Sequence, residues 1–520
     1  MKKNQAIRLA LSVAGACAIV AGASAAAPDS KRMIVAFKPG AAAHAKAAVL
    51  AAKGAIEHEI FSMNAMSVTL PAGALKSLQN NPSVEYVEPD VIRTPFALAT
   101  PSTGTPYATG QLVPYGIPMV LAGLLPEGDS HTGNRTVCII DSGVDALHED
   151  LNGNQFKGIH DNGTGDWFTD ELHHGTHVAG TIAAINNADK GVVGVNPGML
   201  LNIRIVKVFG ADGWAYSSTL ASAANQCGDN GANVISMSLG GAFSSKTEQK
   251  AFDALAAKGV LSVAAAGNDG NSRISYPAGY DSVMMVAALD ENKTWAPFSQ
   301  YNRKVEIAAP GVAVLSSVPT DTGSASSLKV GATVYAPGGM DGSPRATVSA
   351  QWADFGLGGS VVANSMRGKV CLIARGTYEF GVKVKNCQLS GGVGAVVYNN
   401  VAGSFGGTLG TTTGIVIPAV TASNTEGAAI KGQPGAIAAL AVTKASYAYF
   451  DGTSMATPHV AAVAALVWSY FPTCTAAQIR ASLGKSAEDL GALGRDNKYG
   501  YGLVRAKAAY DHINTLGCGN

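Results

Sequence analysis

The 520-residue chain is too long for one ordinary core, so several folding units with buried interiors are expected. Its residues are 47% hydrophobic and 14% charged, with a formal net charge of +1, which excludes a disordered chain and leaves no basic footprint for a nucleic-acid partner.

In chain order, residues 1–25 lie in "MKKNQAIRLALSVAGACAIVAGASAAA". Lys2, Lys3 and Arg8 precede a short apolar run and then small residues, the layout of a secretory signal peptide. No charged stop-transfer segment follows, so an exported chain free of the membrane after signal removal is expected. Residues 30–96 alternate strand and helix signals, from "RMIVAFKP" to "SVEYVEPDVI", and predict a small α+β unit of βαββαβ order. The stretch "RTPFALATPSTGTPYATG" is rich in Pro, Thr and Gly, and residues 97–110 are expected to be a linker with a processing site. From residue 111 to 323, apolar strands such as "TVCIID" and "NVISMSL" alternate with helical stretches such as "HGTHVAGTIAAI". That rhythm predicts a mainly parallel α/β sheet covered on both faces, with its site beyond the carboxyl ends of the strands. Residues 324–444 break the rhythm with β-like runs and many small residues, as a mostly-β insertion; the α/β pattern resumes over 445–516.

Seven cysteines less Cys17 in the signal leave six, an even number that suggests disulfides in an exported chain. Proximity favours Cys371–Cys387 and Cys474–Cys518, leaving Cys138–Cys227 by elimination, with free buried thiols the alternative for that last pair.

Three polar clusters sit where strands end or helices begin. Asp141 closes "TVCIID", His174 opens "HGTHVAGTIAAI", and Ser454 opens the apolar run of "DGTSMATPHVAA". Singly, each is an ordinary turn or cap residue. Together they are the parts of a nucleophilic relay: serine attacks, histidine carries the proton, and the carboxylate orients the imidazole. Asn268 in "VAAAGNDG" follows a strand-like run and can donate to a developing oxyanion. His173 and His177 stand at i and i+4, but the zinc motif needs Glu directly after the first His and here His174 follows.

On "IIDSGVD", "HGTHVAG" and "GTSMATPHVA", in the order Asp, His, Ser, the chain resembles the subtilisin-like serine peptidases, the subtilase family. The resemblance implies a subtilisin-like three-layer α/β sandwich. It implies a secreted serine endopeptidase of broad specificity, made as an inactive precursor with residues 30–96 as an inhibitory propeptide, that acts through an acyl-enzyme on protein and peptide substrates.

 By the same likeness Asp141, His174 and Ser454 carry the triad, and Asn268 is the oxyanion-hole donor. Ser238, Leu239 and Gly240 in "SMSLGG", with Ala265 and Gly267 in "AAAGN", bind substrate, and Ser275 floors a pocket for a large apolar or aromatic side chain. His177 and His459 are expected to be structural neighbours. A structural Ca²⁺ is expected on Gln111, Asp150, Ile185, Asn187 and Val192, a mixed set of oxygen ligands, and no organic cofactor is expected. The insertion resembles a protease-associated domain on "GKVCLIARGTYEFGVKVKNCQLSGGVGAVVYNN". A monomer is expected, and the alternative reading is a non-catalytic binding protein on the same fold.

Overall fold

The computed structural model describes residues 30–96, 110–187 and 190–520, so the signal segment and almost all of the expected linker lie outside the described residues. The N-terminal unit is a four-stranded antiparallel sheet in the order Ala55–Ile60, Ala65–Leu70, Lys31–Phe37, Val84–Pro89. Helices Ala42–Ala51 and Leu75–Gln79 connect these strands, and the unit closes its own core on Val35, Val49, Met66 and Leu78.

Seven parallel strands form the central sheet, in the order Val305–Pro310, Val283–Leu289, Leu261–Ala265, Val234–Met237, Thr136–Asp141, Asn202–Lys207, Gln155–His160. Successive side chains of a strand point to opposite faces, and Thr136–Asp141 puts that rule to use. Val137 and Ile139 enter one core layer, with helices His174–Ala183 and Thr453–Tyr470. Cys138 and Ile140 enter the other, with helices Ser217–Asp229 and Lys246–Ala257. Burial on both faces is why these strands read as unbroken apolar runs. Cys138 is bonded to Cys227, tying the strand Thr136–Asp141 to the helix Ser217–Asp229; Cys371–Cys387 and Cys474–Cys518 are bonded as well.

The insertion forms its own seven-stranded sheet, with two helices, Phe380–Leu389 and Asn424–Lys431. Its entering and leaving strands, Gly323–Val330 and Ile437–Ala445, pair antiparallel. The chain then passes through Tyr447–Phe450, paired with Val314–Ser317, into the helix that carries Ser454.

The end of the N-terminal unit leaves its own sheet: the strand Ile92–Pro95 lies between Leu239–Gly240 and Ala215–Tyr216 of the larger unit. Its pairing partners are more than a hundred residues away in sequence, beyond any local periodicity.

Candidate active site

Asp141 ends the strand Thr136–Asp141 and His174 begins a helix packed against it. His174 Nδ1 lies 2.7 Å from Asp141 Oδ1, an oxygen that also accepts from the Ser142 backbone N–H at 2.8 Å. A proton held on Nδ1 by the carboxylate leaves Nε2 as the basic nitrogen, and this atom is buried without a hydrogen-bond partner. Burial pulls the imidazole pKa down, but the charge and hydrogen bond of Asp141, with the charge of Asp170, outweigh it and the net shift is upward.

Asp170, which the motif reading passes over, supports this pair from behind. Its Oδ2 accepts from Thr176 N–H at 2.8 Å and Thr176 Oγ1 at 2.6 Å, and its Oδ1 accepts from Ser142 Oγ at 2.7 Å. Burial pushes its carboxyl up to about 6 against these hydrogen bonds. The available signal was an aspartate four residues ahead of His174 in "TDELHHGTH".

Ser454 is the second residue of the helix Thr453–Tyr470 and is fully buried. Its hydroxyl donates to Ser238 O at 2.8 Å, and Ser238 Oγ donates back to Ser454 O at 2.7 Å. Pro458 stands inside this helix, as its sixth residue. There it removes the N–H that an α-helix would direct to Ser454 O, and the Ser238 hydroxyl takes that acceptor.

Asn268 Oδ1 accepts from Thr453 N–H at 3.0 Å and Thr453 Oγ1 at 2.9 Å. Because a backbone N–H can only donate, the amide orientation follows from the network. Asn268 Nδ2 therefore faces the groove, where it donates to the Phe96 carbonyl at 2.5 Å. The Phe96 N–H donates to Ser238 O at 3.1 Å, while Leu239 and Gly240 stand opposite Pro95 and Thr94 in the ladder. The Phe96 ring lies so close to Gly240 that a Cβ there would come within 2.5 Å of it. Ala265 ends a neighbouring strand. Ser275 Oγ bonds Gln300 Oε1 at 3.1 Å, and both crowd Gly267, whose φ of +108° a larger residue would resist. Gln300 was not singled out from the sequence, where no motif surrounds it.

The other histidines are engaged elsewhere. His177 Nε2 contacts Val314 O and Ala448 O at 3.0 and 3.1 Å, and its ring stacks on Phe450. His459 Nδ1 contacts Met455 O at 2.8 Å. Burial lowers their pKa values to about 3 and about 4, respectively. Among the described residues no group of three or more His, Cys, Asp and Glu is arranged to hold a metal ion.

The five residues expected around calcium do come together. Gln111 Nε2 lies 3.0 Å from Ile185 O, 3.1 Å from Asn187 Oδ1 and 3.4 Å from Val192 O. Asp150 accepts from Asn187 Nδ2 at 2.8 Å and from Val192 N–H at 2.6 Å. Burial raises its carboxyl pKa in spite of those bonds.

The sequence profile of the Subtilase family matches residues 133–343 and 346–502. Subtilisin amylosacchariticus of Bacillus subtilis subsp. amylosacchariticus is 36% identical over 304 residues, 56% of this chain and 74% of its own length. Subtilisin DY of Bacillus licheniformis is 42% identical over 220 residues, 41% of this chain and 77% of its own. Among solved structures, the psychrophilic subtilisin-like protease Apa1 from the Antarctic psychrotroph Pseudoalteromonas sp. AS-11 is similar with a TM-score of 0.64 and 41% identity. That match covers 79% of this chain and 100% of that one. Fervidolysin from Fervidobacterium pennivorans shares the fold with a TM-score of 0.61 at 24% identity, over 93% of this chain and 61% of that chain. With more than half of its residues matched by the family profile, the chain belongs to the subtilase family and is a subtilisin-like serine endopeptidase.

Proposed function

We propose that this endopeptidase is exported as an inactive precursor and cuts proteins on the carboxyl side of large apolar or aromatic residues, with Asp141, His174 and Ser454 as its triad. The observation that carries the reading is the Phe96 carbonyl on Asn268 Nδ2, with Phe96 N–H on Ser238 O. A segment of the chain itself lies in the groove as a substrate would, with the carbonyl of a phenylalanine on Asn268.

Serine needs only rotation about χ1 to redirect its hydroxyl. Ser454 Oγ then attacks the carbonyl carbon, His174 Nε2 takes the hydroxyl proton, and Asn268 Nδ2 stabilises the charge gathering on the carbonyl oxygen. The C–N bond breaks as His174 returns the proton to the leaving amine. Water repeats the sequence on the acyl-enzyme and releases the carboxylate.

Residues 30–96 act in this reading as the inhibitory propeptide. Glu88 Oε1 accepts from Thr247 N–H at 2.8 Å and its Oε2 from Lys246 N–H at 2.8 Å, at the start of one helix. Asp90 Oδ1 accepts from Ser218 N–H at 3.0 Å at the start of another. Two carboxylates on two helix N-termini hold the unit against those helices, where the helix dipole favours negative charge.

The inserted unit resembles a protease-associated domain, and its Arg345 lies near enough to the site to be felt there. Burial and the nearby charge of its Arg345 both lower the pKa of His173, the residue beside the proposed base. Calcium is the proposed structural ion. The donor chemistry fits, since one carboxylate, two amides and two carbonyls converge within a few ångströms of each other. Asp150, Gln111, Asn187 and the carbonyls of Ile185 and Val192 would hold it.

Hydrolysis of casein and of a peptide with phenylalanine before the cleaved bond tests the reading, using wild type, Ser454→Ala and Asn268→Ala. Loss of turnover in Ser454→Ala and a fall of roughly 10²- to 10³-fold in Asn268→Ala are expected; the latter range comes from the corresponding donor in subtilisin itself. Undiminished hydrolysis by Ser454→Ala contradicts it.

A further inference from the structure

We infer that the subsite for the fourth residue before the cleaved bond is a carboxylate pocket, with Glu248 at its floor, that selects arginine in substrates. The inference rests on the reading of the groove given above and extends it to a residue nothing in the triad motifs touches.

The strand Ile92–Pro95 alternates as a half-buried strand should: Ile92 and Thr94 are exposed, while Arg93 between them is 1% exposed. Counting back from Phe96 through Pro95 and Thr94, Arg93 is the fourth residue. Its guanidinium meets Glu248 in the two-pronged geometry a carboxylate accepts best. Arg93 Nε donates to Oε1 at 2.9 Å and Nη2 donates to Oε2 at 2.6 Å. Nη2 also donates to Phe243 O at 3.0 Å, and Nη1 to Ile92 O at 3.0 Å. Both side chains of the pair are withdrawn from water, at 1% and 0% exposure.

Glu248 is disposed for an outside cation by its own helix. Ser245 caps the helix Lys246–Ala257 by accepting from Glu248 N–H, and Ser-x-x-Glu at 245–248 is the sequence of a capping box. In a complete box the glutamate would accept the Ser245 N–H. Here that N–H donates to Tyr280 Oη at 2.9 Å, and Tyr280 Oη also lies 2.7 Å from Glu248 Oε2. The tyrosine takes over the capping contact and steadies the carboxylate, which turns to the groove. Gly241 opens the way, since a Cβ there would come within 3.0 Å of Arg93 Nη1 and 2.5 Å of Ile92 O. With the propeptide gone, an arginine from a substrate can restore all of these bonds. A lysine can offer only a point charge, and an apolar residue leaves the carboxylate with its Tyr280 hydrogen bond but no counter-charge in a water-poor site.

The test uses the mature enzyme and four chromogenic peptides that end in Thr-Pro-Phe and differ only in the residue before it: arginine, citrulline, lysine or leucine. Citrulline keeps the shape and removes the charge. The expected result is a kcat/KM for arginine at least about 30-fold above citrulline and leucine, with lysine between. In Glu248→Gln the advantage of arginine over citrulline should shrink to within about threefold, while the leucine peptide is cut at least as well as by wild type. Should Glu248→Gln not fold, the wild-type comparison of arginine with citrulline decides alone. Equal kcat/KM for all four peptides in wild type overturns the pocket while leaving the endopeptidase reading intact. Failure to cut any of them, or casein, overturns that reading and the pocket with it.

Discussion

Ser238 and Ser454 exchange hydrogen bonds, each hydroxyl donating to the other's backbone carbonyl, at 2.7 and 2.8 Å. The pairing joins the edge of the substrate groove to the start of the nucleophile helix. It also satisfies the acceptor that Pro458 leaves open.

Ser238→Ala removes that donor and leaves Ser454 O buried and unpaired, so a loss of about 1–3 kcal/mol in stability is expected, measured by urea unfolding in the Ser454→Ala background. Pro458→Ala restores a helical N–H to the same carbonyl. In a double-mutant cycle the cost of Ser238→Ala should fall by at least about 1 kcal/mol when Pro458 is alanine; additive effects contradict the account of the proline.

Asp170 supplies a pH dependence with a definite sign. Its carboxyl is raised to about 6 from an ordinary value of 3.8, so the folded state binds this proton more tightly than the unfolded chain. The stabilisation it contributes is present below pH 3.8 and is lost as pH rises through about 6, by up to about 3 kcal/mol. Asp170→Asn, which stays neutral, should flatten this part of the stability-versus-pH curve. A curve that keeps its slope in Asp170→Asn places the titration elsewhere.

The two helix caps from the N-terminal unit make a third expectation. In the Ser454→Ala precursor, Asp90→Ala should cost about 1–3 kcal/mol of stability, because Asp90 serves Ser218 N–H and Ser218 Oγ and also pairs with Arg32. Chemical denaturation of the two precursors measures it, and an unchanged midpoint would remove the caps from the account.

Chelation should lower the thermal midpoint at once and activity only slowly if Asp150 and its neighbours hold calcium. Asp150→Asn should abolish the dependence of the midpoint on added calcium. A calcium-dependent midpoint that survives in Asp150→Asn assigns the ion to other residues.

The parallel sheet was legible because both faces of its strands are buried, so Val137 through Ile140 form one apolar run whichever way each side chain points. Asp141, His174 and Ser454 were legible because each ends or begins such a run. Arg93, Glu248 and Asp170 were not. Arg93 has its partners in another unit; Glu248 stands in the Ser-x-x-Glu pattern of a helix cap; Asp170 sits in an irregular loop without periodicity. In each case the contact is between residues brought together only by the tertiary fold. Pro458 inside a helix is not explained by the sequence either: the side chain of Ser238 supplies the bond to Ser454 O that the proline cannot, and no helix rule contains that contact.

The most direct test is the N-terminus of the secreted protein, read by mass spectrometry for wild type and for Ser454→Ala. The Phe96 carbonyl on Asn268 predicts that the wild-type precursor is first cut between Phe96 and Ala97, giving a mature chain that begins at Ala97 or is trimmed from there, and that Ser454→Ala keeps residues 30–96 covalently attached. A first cut elsewhere, or the same cut in Ser454→Ala, would contradict the claim that this segment lies in the groove as the enzyme's own first substrate.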